Sequence, residues 1–166
     1  MPKLVGPRHL PRLKLEDGVP PSAATFVVVP TLLGDENDIR EQAANLEIHY
    51  LANPEGECYF ALLSDWHDAP EQHMADDARL LDAARDAIAQ LNAEHGKTPS
   101  GYDRFYLLHR ERRFNAGEGK WIGWERKRGK LHEFNRLIRR EGETSFLPCD
   151  TPLPHAVRYV VTLDAD

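Results

Sequence analysis

The stretch "TFVVVP", Thr25 to Pro30, sets three valines in a row behind a phenylalanine and offers no polar face. A strand with one face in water alternates apolar and polar residues, whereas a strand buried on both faces reads as a continuous apolar run. Three further runs carry the same signature at wide intervals: "YFALL" (Tyr59–Leu63), "RFYLLH" (Arg104–His109) and "VRYVVTL" (Val157–Leu163). Apolar residues recur at helical spacing between them. Ile39, Ala43 and Leu46 follow Asp35, which with Asp38 makes a weak capping box. Leu80, Leu81, Ala84, Ile88 and Leu91 form a longer stripe that stops before Gly96, and Leu131, Phe134, Leu137 and Ile138 form a third. Strands that alternate with helices imply crossover connections and a parallel sheet. The expected class is α/β: a Rossmann-like, mostly parallel sheet of about four strands with flanking helices. "RFNAGEGKWIGW" (Arg113–Trp124) reads as a hairpin that turns on its glycines.

Composition narrows the function classes. A chain of 166 residues, 41% hydrophobic and 29% charged, suits one domain with a real core. No window approaches the roughly 18–20 consecutive apolar residues of a membrane span, and no signal peptide opens the sequence. A cytoplasmic polypeptide is therefore expected. Cys58 and Cys149 are the only cysteines, too few for a disulfide framework or a zinc site. The net charge of −6 argues against a nucleic-acid partner. Eleven of the 21 Lys and Arg residues nevertheless lie between Arg110 and Arg140, against four glutamates. A local anion fits that distribution better than a polyanion. Residues 1–22 hold five of the twelve prolines and no period, so they read as a leader or linker before a domain over 23–166.

Ligands of open α/β sheets gather beyond the carboxyl ends of the strands. Pro30 and Thr31 follow the first expected strand, and Asp65 follows the second. The basic segment follows the third, and Asp164 and Asp166 follow the fourth. The third helical stripe starts at Leu131, so its helix is expected near Gly129. Arg126, Lys127, Arg128 and Lys130 then crowd the positive end of a helix dipole, an arrangement that a bound anion would reverse from unfavourable to favourable. A solvated basic run explains the same residues equally well. Asp164 and Asp166, two apart in an extended chain, present both carboxylates on one side and could hold Mg²⁺ or Mn²⁺, or could simply end a strand in polar residues. Asp65 alone is an ordinary turn or cap aspartate, and Trp66 an ordinary packing residue. The histidines show no metal-ligand spacing, and "GEGKW" lacks the spacing of a P-loop.

The order of these features carries more than any one of them. A strand with proline, a strand with aspartate, a basic Gly-Lys helix and a strand with Asp-x-Asp together resemble the nucleotide-binding half of an inverting GT-A-type glycosyltransferase. "GKLHEFN" (Gly129–Asn135) is similar to that group's Gly-Lys-Ala-x-Ala-Leu-Asn segment. Glu133 stands where a small residue is usual, and Leu32-Leu33-Gly34 where Tyr-Asn-Glu is usual. A closer resemblance runs from Pro11 onward. "PRLKLEDGVP", "VVVPTLL", "LEIHYLANP", "FALLSDWHDAP", "GEGKWIGWERKRGKLHEFNRLIR" and "VRYVVTLDAD" look like the glycosyltransferase region of cyclic β-1,2-glucan synthases.

That resemblance implies UDP-glucose as donor substrate. It implies a nucleotide-sugar site on Pro30, Thr31, Asp65, Arg128, Lys130 and Asp164, with Asp65 toward uracil and Lys130 toward the diphosphate. It further implies Mg²⁺ or Mn²⁺ held by Asp164 and Asp166. The parent proteins work at the cytoplasmic face of a bacterial inner membrane, so the remainder of such a synthase is an expected partner. No catalytic residue is assigned: the general base is expected beyond residue 166, in an acceptor half, which makes the chain a donor-binding fragment, inactive by itself. A sheet cut there could also self-associate through its open edge. Two other readings compete. A non-catalytic interaction module would ignore UDP, and a hydrolase of the haloacid-dehalogenase kind would use Asp164 as nucleophile, although in that group the motif opens the domain.

Overall fold

The computed structural model describes residues 17–164. Residues 1–16 of the expected leader and Asp166 lie outside the described residues. A single 3₁₀ turn, Pro21–Ala23, leads into β1 (Thr25–Leu33), followed by α1 (Glu36–Ala52), β2 (Cys58–Trp66), α2 (Asp77–His95) and β3 (Phe105–His109). The hairpin strands β4 (Arg113–Asn115) and β5 (Lys120–Ile122) precede α3 (Arg126–Ile138) and β6 (Tyr159–Thr162). The main sheet runs β3-β2-β1-β6, and every pair in it is parallel. The α/β class and the four-strand parallel sheet therefore stand as expected.

Alternate residues of each strand feed opposite faces of the sheet. Phe26, Val28, Tyr59, Ala61, Leu63, Tyr106 and Leu108 pack with Phe134 of α3 on one face. Val29, Cys58, Phe60, Leu62 and Phe105 pack with Ala43 and Leu46 of α1 and Ile88 and Leu91 of α2 on the other. Burial on both faces is why β1, β2 and β3 lack alternation; β6, expected to be buried likewise, is instead an edge strand with Tyr159 and Val161 exposed. Phe26, fully buried, meets the rings of Phe134 at 5.3 Å, Tyr106 at 5.4 Å and Tyr59 at 5.5 Å.

Several boundaries differ from the sequence reading, each for a physical reason. Pro30 and Thr31 lie within β1 rather than after it. The Val28 carbonyl accepts from Leu163 N–H, so Pro30, two residues on, points the same way, past the last β6 pairing of Val28 with Thr162. Its missing N–H costs no ladder bond there. Asp65 likewise lies inside β2, paired with Leu32, and not beyond the strand. Helix α3 starts at Arg126, three residues before Gly129, because Glu125 and Arg126 take left-handed backbone angles (φ 46° and 47°) that turn the chain early. Asp35 does cap α1, accepting from the N–H groups of Asn37 and Asp38. The end of the expected leader is tied down, with Val19 bridging in parallel to Gly56.

Because the chain steps from β1 outward to β2 and β3 and then returns to β6 on the other side of β1, the strand order reverses beside β1. Ligands of this architecture sit in the crevice outside the carboxyl ends of the strands at such a reversal.

Candidate functional site

A pocket of about 770 Å³ opens at that place. Its floor and walls come from the end of β1 (Pro30, Thr31), the end of β2 (Asp65), the start of α1 (Asp38, Gln42) and α3 (Lys127, Lys130). Sequence elements far apart in the chain thus meet because the parallel sheet aligns all their carboxyl ends.

Asp65 is 3% exposed and is held by two cations. Arg110, the residue immediately after β3, grips it with two parallel bonds, Nε to Oδ1 at 2.7 Å and Nη2 to Oδ2 at 2.9 Å. The Lys130 ammonium lies 3.0 Å from Oδ2 and donates to the Thr31 carbonyl at 2.7 Å. Arg110 continues outward. Nη1 donates to Glu133 Oε2 at 2.7 Å and to the Trp124 carbonyl at 3.1 Å, and Nη2 to the Arg126 carbonyl at 3.0 Å. All five N–H donors of the guanidinium are thereby used. Glu133 is closed from behind by Ser145, whose N–H donates at 2.6 Å and whose hydroxyl donates at 2.8 Å. Two buried carboxylates and two buried cations balance at the pocket floor.

Protonation follows from this geometry. Burial works against the Arg110 charge, but the bonds to Asp65 and then Glu133 outweigh it and push its pKa further up. Burial alone would raise Glu133; the Ser145 N–H and the Arg110 guanidinium overcome that and hold it below the ordinary carboxylate range. Lys130 is lowered, chiefly by burial, while Asp65 pulls it the other way. Beneath the pocket, His109 shares a 2.7 Å hydrogen bond with Ser64 through Nδ1, and burial pushes its pKa down to about 3.

The network also holds the strained turn that walls the pocket. Two consecutive non-glycine residues in the left-handed region cost of order 1–3 kcal/mol each. Arg110 fixes the carbonyls on either side of that turn, Trp124 and Arg126. Gly123 lets the backbone pass close by, since a Cβ there would stand 2.8 Å from the Asp65 carboxyl carbon.

Of the residues expected from sequence, Pro30, Thr31, Asp65 and Lys130 come together at the pocket. Arg128 does not line it; its side chain is 90% exposed and faces Glu125 at 3.7 Å. Asp164 does not line it either; it is ion-paired with Lys127, a lining residue, and borders a separate cavity of about 230 Å³ with Val29, Gln42 and Leu62. Sequence reasoning missed Arg110 as the organiser and counted it only as one basic residue among eleven. The signal was available: Arg110 directly follows a buried strand, at the edge where ligands gather. Among the described residues, Glu47, Glu94 and His95, on α1 and α2 and away from the pocket, bring three potential ligand atoms within 4.8 Å of one another. Sequence spacing could not reveal it, because Glu47 and His95 belong to different helices.

Against known proteins, no family model matches the chain. Over 160 residues, 96% of its length, the chain is 49% identical to the cyclic β-(1,2)-glucan synthase NdvB of Rhizobium meliloti (strain 1021). The chain is a relative of one segment of that synthase. It spans 6% of the synthase's length. None of its described helices is long and apolar enough to cross a membrane.

Proposed function

We propose that this chain forms the donor-binding part of a glycosyltransferase that builds β-1,2-glucan from UDP-glucose. The observation that carries the reading is the Asp65–Lys130 pair at the floor of the pocket, set where the strand order reverses. Asp65 Oδ1 accepts one bond from Arg110 and retains a second lone pair for a donor such as the uracil N3–H. Lys130 has three ammonium donors, two of which go to Thr31 and Asp65, leaving one for a diphosphate oxygen. Lys127 adds a second cation at the mouth.

Asp164 offers an exposed carboxylate, the hard oxygen donor that Mg²⁺ and Mn²⁺ take, and Asp166 is its second ligand in this reading. When bound, the ion neutralises charge on the departing diphosphate. Lys127, which pairs with Asp164, would release it to such an ion. The base that deprotonates the acceptor hydroxyl is supplied from outside these residues, so the chain binds donor without making polymer.

Calorimetric titration with UDP, with and without Mn²⁺ and with GDP as control, tests this. Saturable UDP binding strengthened by Mn²⁺, and lost in Lys130→Met, is expected. A folded chain that ignores UDP would favour a non-catalytic interaction module instead.

A further inference from the structure

A second groove, of about 530 Å³, lies on the other side of Arg126 from the donor pocket, and Arg126 lines both. Its walls are the β4–β5 hairpin and the strained turn before α3. Two aromatic rings face it in the open: Phe114, 57% exposed, and Trp124, 44% exposed. The other five phenylalanines are all buried, and the only other strongly exposed Phe, Tyr or Trp ring among the described residues is Tyr159, on the edge strand β6. Leaving a phenyl and an indole in water forgoes roughly 1.5–3 kcal/mol of burial for a ring of that size, so their position invites an occupant.

The rest of the lining specifies what kind. Asn115, Glu118 and Arg113 supply an amide, a carboxylate and a guanidinium at the edge of the aromatic surface. Asn115 is held rigid by accepting from the N–H groups of Gly117 and Glu118, and Glu118 is fixed by Arg126 at 2.8 Å. Flat apolar faces rimmed by fixed hydrogen-bonding groups suit a pyranose, which has an apolar C–H face and an equatorial belt of hydroxyls. The backbone strain at Glu125 and Arg126 falls on the partition between groove and pocket, and strain of this kind collects at ligand clamps.

We infer that this groove binds a β-linked glucan chain, stacking glucose rings on Phe114 and Trp124, and so keeps the growing polymer beside the donor pocket. The inference rests on the donor-site reading for its direction, because Arg126 joins the two cavities. It goes beyond that reading in assigning the hairpin, which carries no donor contact, to carbohydrate.

The test is calorimetric titration of the purified chain with a linear β-1,2-glucohexaose, alongside a separate UDP titration of the same samples. The expected result is saturable binding of the oligosaccharide, weakened at least tenfold in Phe114→Ala and in Trp124→Ala, with UDP affinity unchanged in Phe114→Ala. A chain that binds UDP but no glucan, or glucan binding indifferent to both substitutions, would overturn the groove assignment alone. Failure to bind either ligand by a chain folded by circular dichroism would overturn the donor-site reading, and this inference with it.

Discussion

Arg110 shows how one side chain can set both the stability and the shape of a site. A buried ion pair contributes little net stability, yet removing one partner leaves the other charged and unpaired, at a cost of about 3–5 kcal/mol. Arg110→Met leaves Glu133 buried without a cation and Asp65 with Lys130 alone, so urea unfolding should show a loss of that size. Arg110→Lys should recover only part of it, since an ammonium cannot reproduce the parallel grip on Asp65 while also reaching the Trp124 and Arg126 carbonyls. His109 supplies a pH signature. Its folded pKa lies near 3, below the ordinary value of 6.5, so the folded state resists a proton that the unfolded state accepts. Stability from this group is complete above about pH 6.5 and falls as pH drops toward 3, with a limiting slope of about 1.4 kcal/mol per unit. Denaturant midpoints between pH 7.5 and 5 should therefore fall in the wild type, and His109→Phe should flatten that dependence.

At the scale of elements, the junction before α3 is where chain direction and site shape are decided together. Gly129 sits in the first turn of α3, and a Cβ there would lie 2.0 Å from the Trp124 carbonyl oxygen. That oxygen belongs to backbone and is also an Arg110 acceptor, so it cannot yield without disturbing the guanidinium. Gly129→Ala should cost about 1–3 kcal/mol by overpacking, although alanine is the better helix former, and thermal melting would register it. This junction also marks the limit of what the sequence made legible. β1, β2, β3 and the three helices were readable because burial on both sheet faces and one helix face writes directly into apolar spacing, whereas β6 was readable from its apolar run although it lies exposed at the sheet edge. Their ends were not. Thr31, Leu32, Leu33, Ser64 and Asp65 extend β1 and β2 beyond the apolar runs, with Ser64 satisfied by His109 and Asp65 by Arg110, partners that only tertiary structure supplies. The early start of α3 rests on left-handed angles at Glu125 and Arg126, residues with no local preference for them.

At the scale of the whole molecule, the parallel order β3-β2-β1-β6 brings the carboxyl ends of all its strands to one edge, and the chemistry collects there. Asp65 and Lys130 were singled out in advance by the family resemblance, with strand ends and a basic helix start as weaker signals, and the structure brings them together at the pocket. Arg110 left only its position after a buried strand as a signal and Glu133 left none, because their roles depend on a buried network spanning Asp65 to Ser145. In the proposed reading, the two cavities on either side of Arg126 would give the edge a donor side and a carbohydrate side. The most direct test of the donor side is a crystal structure of the chain grown with UDP and Mn²⁺. The expected density places uracil against Asp65 Oδ1 and the diphosphate against Lys130, with the metal at Asp164. UDP bound elsewhere, with the pocket between β1 and α3 left empty, would contradict it.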